Sequence, residues 1–312
     1  MKRADTTNAR QCRIAGGICL IFTILMTTAC VEENLMDRTD GTVRIVYEWD
    51  DNLPRPTNGM QLYFYPSSGE APLVTTTSTD GYETKLPHGE YSLLAFNTAV
   101  SGLKVENTRS SGEASVEAII TSSGGELYVQ PEGREYSVWD ASLVVMPRRG
   151  VQEMRYKVRP LNAPIPIHVV NQTGQILTEV SGELEGVVLS RQLSTGNGNF
   201  AEGYGNIGFS VNFDNGAYEA TNQVLCLGLY NPAPEQNGTF RYRSKLDLHI
   251  TYANGTVTTV GKDISQQLAQ QMDTADLSNN LRIEVILAPE PIDIIIQVTD
   301  WNDGGSQQWS GW

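Results

Sequence analysis

The stretch LHITYANGTVTTV, residues 248–260, decides the fold class of this chain. Leu248, Ile250 and Tyr252 alternate with polar residues, which is the period of a half-buried β-strand. Asn254-Gly255 follows, and this dipeptide favours a hairpin turn because both of its residues tolerate positive φ. Alternation resumes after the turn with Val257. The stretch therefore predicts a β-hairpin.

The same period of two recurs along most of the chain. Asn-Gly occurs five times and Asp-Gly three times, as expected of a protein built from strands and tight turns. A helical spacing occurs once, at Ile264, Leu268 and Met272. We therefore predict an all-β protein of sandwich type. The alternating apolar residues outside the hairpin are Val43, Ile45, Tyr47 and Trp49; Met60, Leu62 and Phe64; Leu246; Leu281, Ile283, Val285 and Leu287; and Ile292, Ile294, Ile296 and Val298.

A proline-rich stretch, RPLNAPIPI at 159–167, indicates where the chain divides. Proline cannot donate to a β-ladder, so this stretch favours an extended linker or a sheet edge over a central strand. About equal numbers of strand candidates precede and follow it. We predict one sandwich over 41–158, a second over 159–300, and a polar tail over 301–312.

The first 30 residues have the layout of a bacterial lipoprotein signal. A basic segment precedes the apolar run 14–26, which is shorter than the ~20 residues that span a bilayer. Ala29 precedes Cys30 as in a lipobox, which predicts a signal peptide over 1–29 and acylation of Cys30. Two or more acyl chains anchor stably, so 30–40 would be a lipidated tether carrying acidic residues. The alternative is an ordinary signal cut before an incidental thiol.

The positions of the cysteines and the net charge argue against an internal disulfide and against nucleic-acid binding. Cys12 and Cys19 lie in the predicted signal, and Cys226 lies in the apolar run QVLCLGLY, so the mature chain is expected to form no internal disulfide. The formal charge is −14. A nucleic-acid partner needs a basic stripe, so nucleic-acid binding is excluded.

No catalytic, metal or cofactor site is indicated. The three histidines, His88, His168 and His249, are scattered and lack partners at ligand spacing. The acidic stretches EWDDN (48–52) and DWND (300–303) could hold calcium, but neither has the spacing of a known loop. We predict that the protein is not an enzyme, and acid-rich turns are the preferred interpretation of these stretches.

Several motifs, in order, resemble those of fimbrillin-like lipoproteins of the Bacteroidales. They are MQLYFYP, LPHGEYSLLAFN, VSGELEGVVLS, KDISQQL and a closing VTDW. The resemblance is to FimB/Mfa-type minor-fimbria anchor subunits and their uncharacterised relatives. It implies two tandem transthyretin-like (Greek-key) β-sandwich domains, outer-membrane attachment through the lipid, and a role at the base of a fimbria or as an accessory subunit at the cell surface. It also implies fimbrial stalk or accessory subunits as partners, joined by β-strand addition.

The resemblance also implies a difference between stalk and anchor. Stalk subunits of this family lose their first strand to a protease that cuts after an arginine. In this chain a cut after Arg38 or Arg44 would detach the protein from its lipid. An anchor is therefore expected to keep residues 43–49 in place.

One alternative function stays open, a surface glycan-binding lipoprotein of a polysaccharide-utilisation system. Such a protein would also be acidic, all-β and lipid-anchored, and it would use exposed tryptophans as sugar platforms. The candidates are Trp139, Trp301, Trp309 and Trp312.

Overall fold

The computed structural model describes residues 39–98, 100–121, 127–147, 150–199, 204–214, 216–230, 243–271, 281–288 and 294–300. Strands dominate this part of the chain. Those of the first half are β1 (Asp40–Glu48), β2 (Met60–Pro66), β3 (Leu73–Thr77), β4 (Gly81–Pro87), β5 (Gly89–Asn97), β6 (Leu103–Glu106), β7 (Ser115–Ala118), β8 (Ile120–Thr121), β9 (Leu127–Tyr128), β10 (Tyr136–Val145), β11 (Val151–Lys157) and β12 (Arg159–Pro160). Those of the second half, with one helix, are β13 (Ala163–Asn171), β14 (Leu177–Val188), β15 (Ser190–Gln192), β16 (Tyr204–Asn212), β17 (Glu219–Cys226), β18 (Lys245–Tyr252), β19 (Val257–Asp263), α1 (Ser265–Gln271), β20 (Leu281–Leu287) and β21 (Ile294–Asp300).

The first sandwich consists of a three-stranded sheet, in the order β11-β1-β4, and a five-stranded sheet, in the order β12-β10-β5-β2-β3. Apolar side chains of both sheets meet between them, and we call this cluster the first core. The predicted inward faces of β1 and β2 are confirmed. The first core contains Val43, Ile45, Tyr47, Met60, Leu62, Phe64, Leu86, Tyr91, Leu93, Ala95, Tyr136, Val138, Leu143, Val145 and Val158.

The second sandwich consists of a four-stranded sheet, β17-β13-β20-β21, and a six-stranded sheet, β19-β18-β14-β16-β9-β8. Its cluster, the second core, includes the predicted inward faces of β18 and β20. At the start of the helix α1, Asp263 Oδ1 accepts the Ser265 amide and so satisfies one of the N–H groups that have no partner within the helix. Ile264 and Leu268 are fully buried, so the predicted short helix is confirmed, while Met272 lies outside the described residues.

The predicted hairpin is present as β18 and β19, and Gly255 of the Asn-Gly dipeptide supplies the predicted positive φ. Gly255 takes a φ of +81°, and among non-glycine residues of the described chain only Asn107 has positive φ. The Gly255 amide donates to the Tyr252 carbonyl at 2.9 Å. This is a turn closed by a left-handed glycine, a longer alternative to the two-residue hairpin loop.

Residues 103–121 and 127–128 connect the two sandwiches. β6 and β7 form a three-stranded sheet with β15, which comes from the second half of the chain. β9 pairs in parallel with β16 and so extends the six-stranded sheet of the second sandwich. Leu103, Val116 and Tyr128 belong to the second core, together with Tyr63 and Leu94 from the outer face of the five-stranded sheet. The two halves therefore share one continuous apolar contact.

The prolines of 159–167 lie in strands, not in a linker. β13 lies between β17 and β20, but it pairs with β20 only from Ile167 onward. Pro164 and Pro166 pair with β17 alone. Among the described residues, this part of β13 has a neighbouring strand on one side only, so a proline N without a hydrogen on the other side breaks no ladder. The linker interpretation was wrong, and the edge interpretation holds locally.

The predicted all-β class with sandwich architecture is confirmed. The division into 41–158 and 159–300 stays a prediction, because side chains from 103–121 and 127–128 pack on the second half. The signal over 1–29, Cys30, Arg38 and the tail over 301–312 lie outside the described residues. Within the described residues, no helix has the length and apolarity that a membrane crossing requires.

Candidate functional site

The first strand, β1, is held on both sides. Thr42–Glu48 pair in parallel with Val151–Lys157 of β11, and Asp40–Val46 pair antiparallel with Pro87–Gly81 of β4. The strand is therefore central in its sheet. Removing it would expose a groove between β11 and β4.

The two faces of β1 are held by different forces. On the inner face Ile45 is 1% exposed, and the Tyr47 hydroxyl lies 3.3 Å from Thr77 Oγ1. Burial raises the pKa of Tyr47 to about 12. On the outer face Arg44 Nη2 lies 2.7 Å from Glu83 of β4, and Arg44 Nη1 lies 3.5 Å from Glu153 of β11. These pairs are exposed, so hydrophobic burial contributes more to retention of the strand than they do.

Trp49 fixes the end of β1. Its indole Nε1 donates to the Thr79 carbonyl at 2.6 Å, and its ring packs edge-on against Tyr136 with centroids 5.0 Å apart. The Tyr136 hydroxyl in turn donates to the Pro54 carbonyl. The strand end is thus tied to both sheets of the first sandwich.

The edge strands of the first sandwich differ in charge. β4 and β11 carry acidic and basic side chains, which discourage pairing with another chain. β3, the edge of the five-stranded sheet, has the sequence LVTTT and no charge. Leu73 and Val74 are 45% and 48% exposed. β3 is therefore the less protected edge of this sandwich.

A polar junction, which the sequence did not reveal, joins the sandwiches. Asn162 Oδ1 accepts the Glu135 amide, and Asn97 Oδ1 accepts the Tyr136 amide. The Glu135 side chain is 1% exposed, and its Oε1 has no hydrogen-bond partner among the described residues. Burial raises the pKa of the Glu135 carboxyl well above its usual range, against a smaller opposing contribution from the Asn97 backbone.

The histidines stay apart, as predicted. His249 is exposed and lies 3.1 Å from Thr259 Oγ1, and His88 is exposed near the Thr39 carbonyl. His168 is buried in β13, where Nδ1 lies 2.8 Å from Arg282 Nη2 and Nε2 lies 3.4 Å from Glu219. The His168 ring therefore has partners within its own sheet.

The other residues singled out in the sequence are the acidic calcium candidates, the tryptophans and Cys226. Asp50 Oδ1 accepts the Asn52 amide, so it closes a turn after β1. In the described part, no group of three or more His, Cys, Asp or Glu side chains is arranged to hold a metal ion. Trp139 is 37% exposed on β10, and Cys226 is buried with its thiol pKa raised to about 11 by burial. Trp301, Trp309 and Trp312 lie outside the described residues.

Known proteins with similar sequences include a family of unknown function and a fimbrial subunit. Residues 29–161 match the family described as Domain of unknown function (DUF5119). A stretch of 126 residues is 31% identical to a Bacteroides ovatus protein named as a fimbrium anchoring subunit, Fim4B. The chain resembles fimbrial anchor subunits. The match covers 40% of this chain and 36% of that relative, so it spans about a third of the relative's length.

Solved structures share the fold at low identity. A candidate adhesin from Bacteroides ovatus has a TM-score of 0.56 at 17% identity, covering 80% of this chain and 92% of the other. The fimbrial anchor protein Mfa2 from Porphyromonas gingivalis has a TM-score of 0.52 at 11% identity, covering 83% and 97%. A candidate polysaccharide-binding protein from Bacteroides thetaiotaomicron has a TM-score of 0.52 at 12% identity, covering 84% and 96%. These likenesses show the fold.

Proposed function

We propose that this chain is a non-enzymatic outer-membrane lipoprotein that acts as a fimbrial anchor or accessory subunit. The observation that carries the proposal is the 31% identity to a fimbrium anchoring subunit. The resemblance noted in the sequence motifs points to the same class. Fimbrial stalk or accessory subunits would be its partners.

The setting of β1 supports an anchor over a stalk subunit. Arg44, where a protease of the stalk pathway would cut, is a middle residue of a strand paired on both sides. A protease needs an extended, accessible segment, so the native strand must first leave the sheet. A subunit that keeps this strand stays joined to whatever precedes it.

Attachment would run through Cys30. Acylation of this residue would make 30–40 a tether, and the ten residues that precede β1 reach at most about 35 Å when fully extended. The first sandwich would then stand close to the outer leaflet, with β1 beginning at Asp40. A short tether suits a base subunit.

Mass spectrometry of the protein from native outer membranes tests this proposal. We expect an N-terminal peptide that begins at an acylated Cys30, an uncut segment from Arg38 to Trp49, and co-purified fimbrillin-like chains. A Cys30→Ala variant should lose the acyl mass and leave the membrane fraction. An acylated Cys30 without such chains would favour the glycan-binding alternative, and an unmodified N-terminus would contradict lipid attachment.

Strand addition would use β3. Its outer edge carries no charge, and its exposed apolar side chains would gain burial from an added strand. We expect Val74→Lys to reduce co-purification of fimbrial partners at least tenfold, because a charge on an edge strand opposes pairing. Quantitative mass spectrometry of the pulled-down complexes measures this.

A matched control is available on another edge. Val257 of β19 is 56% exposed at the edge of the six-stranded sheet. Val257→Lys adds the same charge and should leave the partner yield unchanged. Equal losses from both variants, or none from Val74→Lys, would remove β3 as the acceptor edge.

A further inference from the structure

A cleft lies at the junction of the two sandwiches, beside the turn that follows β1, and its described lining includes no residue of β1 or β3. Its volume is about 910 Å³, within the range of small-ligand sites. Basic side chains from three positions line it, Arg134, Lys157 and Arg159, against one acidic residue, Asp50. The chain as a whole carries a formal charge of −14, so this cleft concentrates charge of the opposite sign.

Within the described part of the chain, the three cations of the cleft lack the acidic partners that several other basic residues have. Several exposed cations elsewhere pair with carboxylates, namely Arg44, Arg55, Lys104, Arg155 and Lys245. In the described part of the chain, none of the three cleft cations has a carboxylate within 4 Å. They are therefore available to an anion from outside.

Two of the cleft cations are positioned by backbone carbonyls. Arg134 is half-buried, and its Nη1 donates to the Asn162 carbonyl at 3.4 Å. Arg159 Nη1 donates to the Thr195 carbonyl at 2.8 Å. Arg159 Nη2 also donates to the Ser194 carbonyl at 3.4 Å. Each guanidinium has five N–H donors, so donors beyond these contacts remain for a ligand. Burial lowers the pKa of Arg134, as expected of a cation without a counter-charge.

The remaining walls favour a saccharide over a peptide. Pro160, Pro164 and Pro166 line the cleft and have no N–H, so a peptide strand would find no ladder there. Asn52 and Gln223 also line it. Their amides both donate and accept, which suits sugar hydroxyls.

We propose that this junction cleft binds an acidic oligosaccharide, whose carboxylate or sulfate groups are held by Arg134 and Lys157. Hydrogen bonds between a charged donor and a charged acceptor are stronger than neutral ones, and a guanidinium can donate two parallel N–H groups to one carboxylate or sulfate. The site is independent of the fimbrial role, because it involves neither Cys30 nor β3. Loss of one function leaves the other measurable.

Calorimetry on the full-length chain in non-ionic detergent tests the site. The probes are trigalacturonate, a chondroitin sulfate tetrasaccharide and neutral maltotriose. We expect binding of at least one acidic probe, none of maltotriose, and weaker binding at high salt because charges are screened. Arg134→Gln and Lys157→Gln should each weaken binding at least tenfold.

The control is Arg155→Gln, two residues before Lys157 on β11. This variant removes the same charge outside the cleft lining and should bind within twofold of the parent. Lys157 is exposed, so its variant keeps the test valid where Arg134→Gln fails to fold. Failure of both acidic probes, or full binding by Lys157→Gln, would overturn the proposal. Preferential binding of tetraglutamate would also overturn it, in favour of an acidic peptide.

Discussion

Replacing Ile45 by alanine is expected to expose the first strand to proteolysis. Ile45 is 1% exposed in the first core, and such a truncation costs about 2–5 kcal/mol of unfolding free energy. Cleavage of a protected bond follows the population of the opened state, and each 1.4 kcal/mol changes this population tenfold. An arginine-specific protease should therefore cut the peptide bond after Arg44 at least about 30-fold faster in the Ile45→Ala variant than in the parent. Mass spectrometry of the fragment that begins at residue 45 measures the rate.

Val46→Ala provides the comparison on the same strand. Val46 is half-buried on the opposite face and does not belong to the first core. We expect its cleavage rate at Arg44 to stay close to that of the parent. Rapid cutting of the parent at this bond, or equal rates in the two variants despite a measured loss of stability in Ile45→Ala, would mean that burial of β1 does not protect it.

Replacing Glu135 by glutamine is expected to stabilise the protein at neutral pH. A buried carboxyl without a partner for Oε1 disfavours ionisation, which is why its pKa is raised in the folded state. The stability that the neutral Glu135 carboxyl contributes is fully present at pH values below its pKa in the unfolded chain. This stability is lost as the pH rises from that pKa through the higher pKa of the folded state. The glutamine stays neutral throughout, so we expect a gain on the order of 1–3 kcal/mol at pH 7 and little gain near pH 4. Urea unfolding at both pH values measures the difference.

Glu132→Gln is the matched control for this prediction. Glu132 is exposed in the same segment, so its replacement should change the unfolding free energy by less than about 0.5 kcal/mol at either pH. A Glu135→Gln variant that is less stable than the parent at pH 7, with an unchanged pH dependence, would show that the carboxylate makes a required contact.

Local pattern was sufficient to predict the strands and the sandwich class. Apolar and polar residues alternate within each strand, so this alternation alone identified the inward faces of β1, β2, β18 and β20. The turn after Tyr252 was placed correctly. Its length could not be predicted, because loop length depends on how far the two strands pair, and that distance is a property of the sheet.

Contacts between distant segments could not be predicted in this way. β7 pairs with β15, about 75 residues later in the chain, and nothing in either short strand specifies the other. Glu135 lies in the polar stretch PEGREY, which reads as a surface turn until the fold buries it. The basic cleft likewise combines residues that lie on different segments. The linker interpretation of the prolines of β13 failed because the sequence does not show that a strand pairs on one side only over part of its length.

The position of β1 has a mechanical consequence. With the anchor proposed at Cys30, tension between a filament and the membrane would enter the fold at Asp40 and act along the axis of β1. A pull along a strand loads its cross-strand hydrogen bonds together in shear, whereas a sideways pull opens them one at a time. β1 pairs over seven residues with each neighbour, so both ladders would share the load. The first strand would then act as a clamp whose resistance to force depends on the barrier to sliding the whole strand out of the sheet.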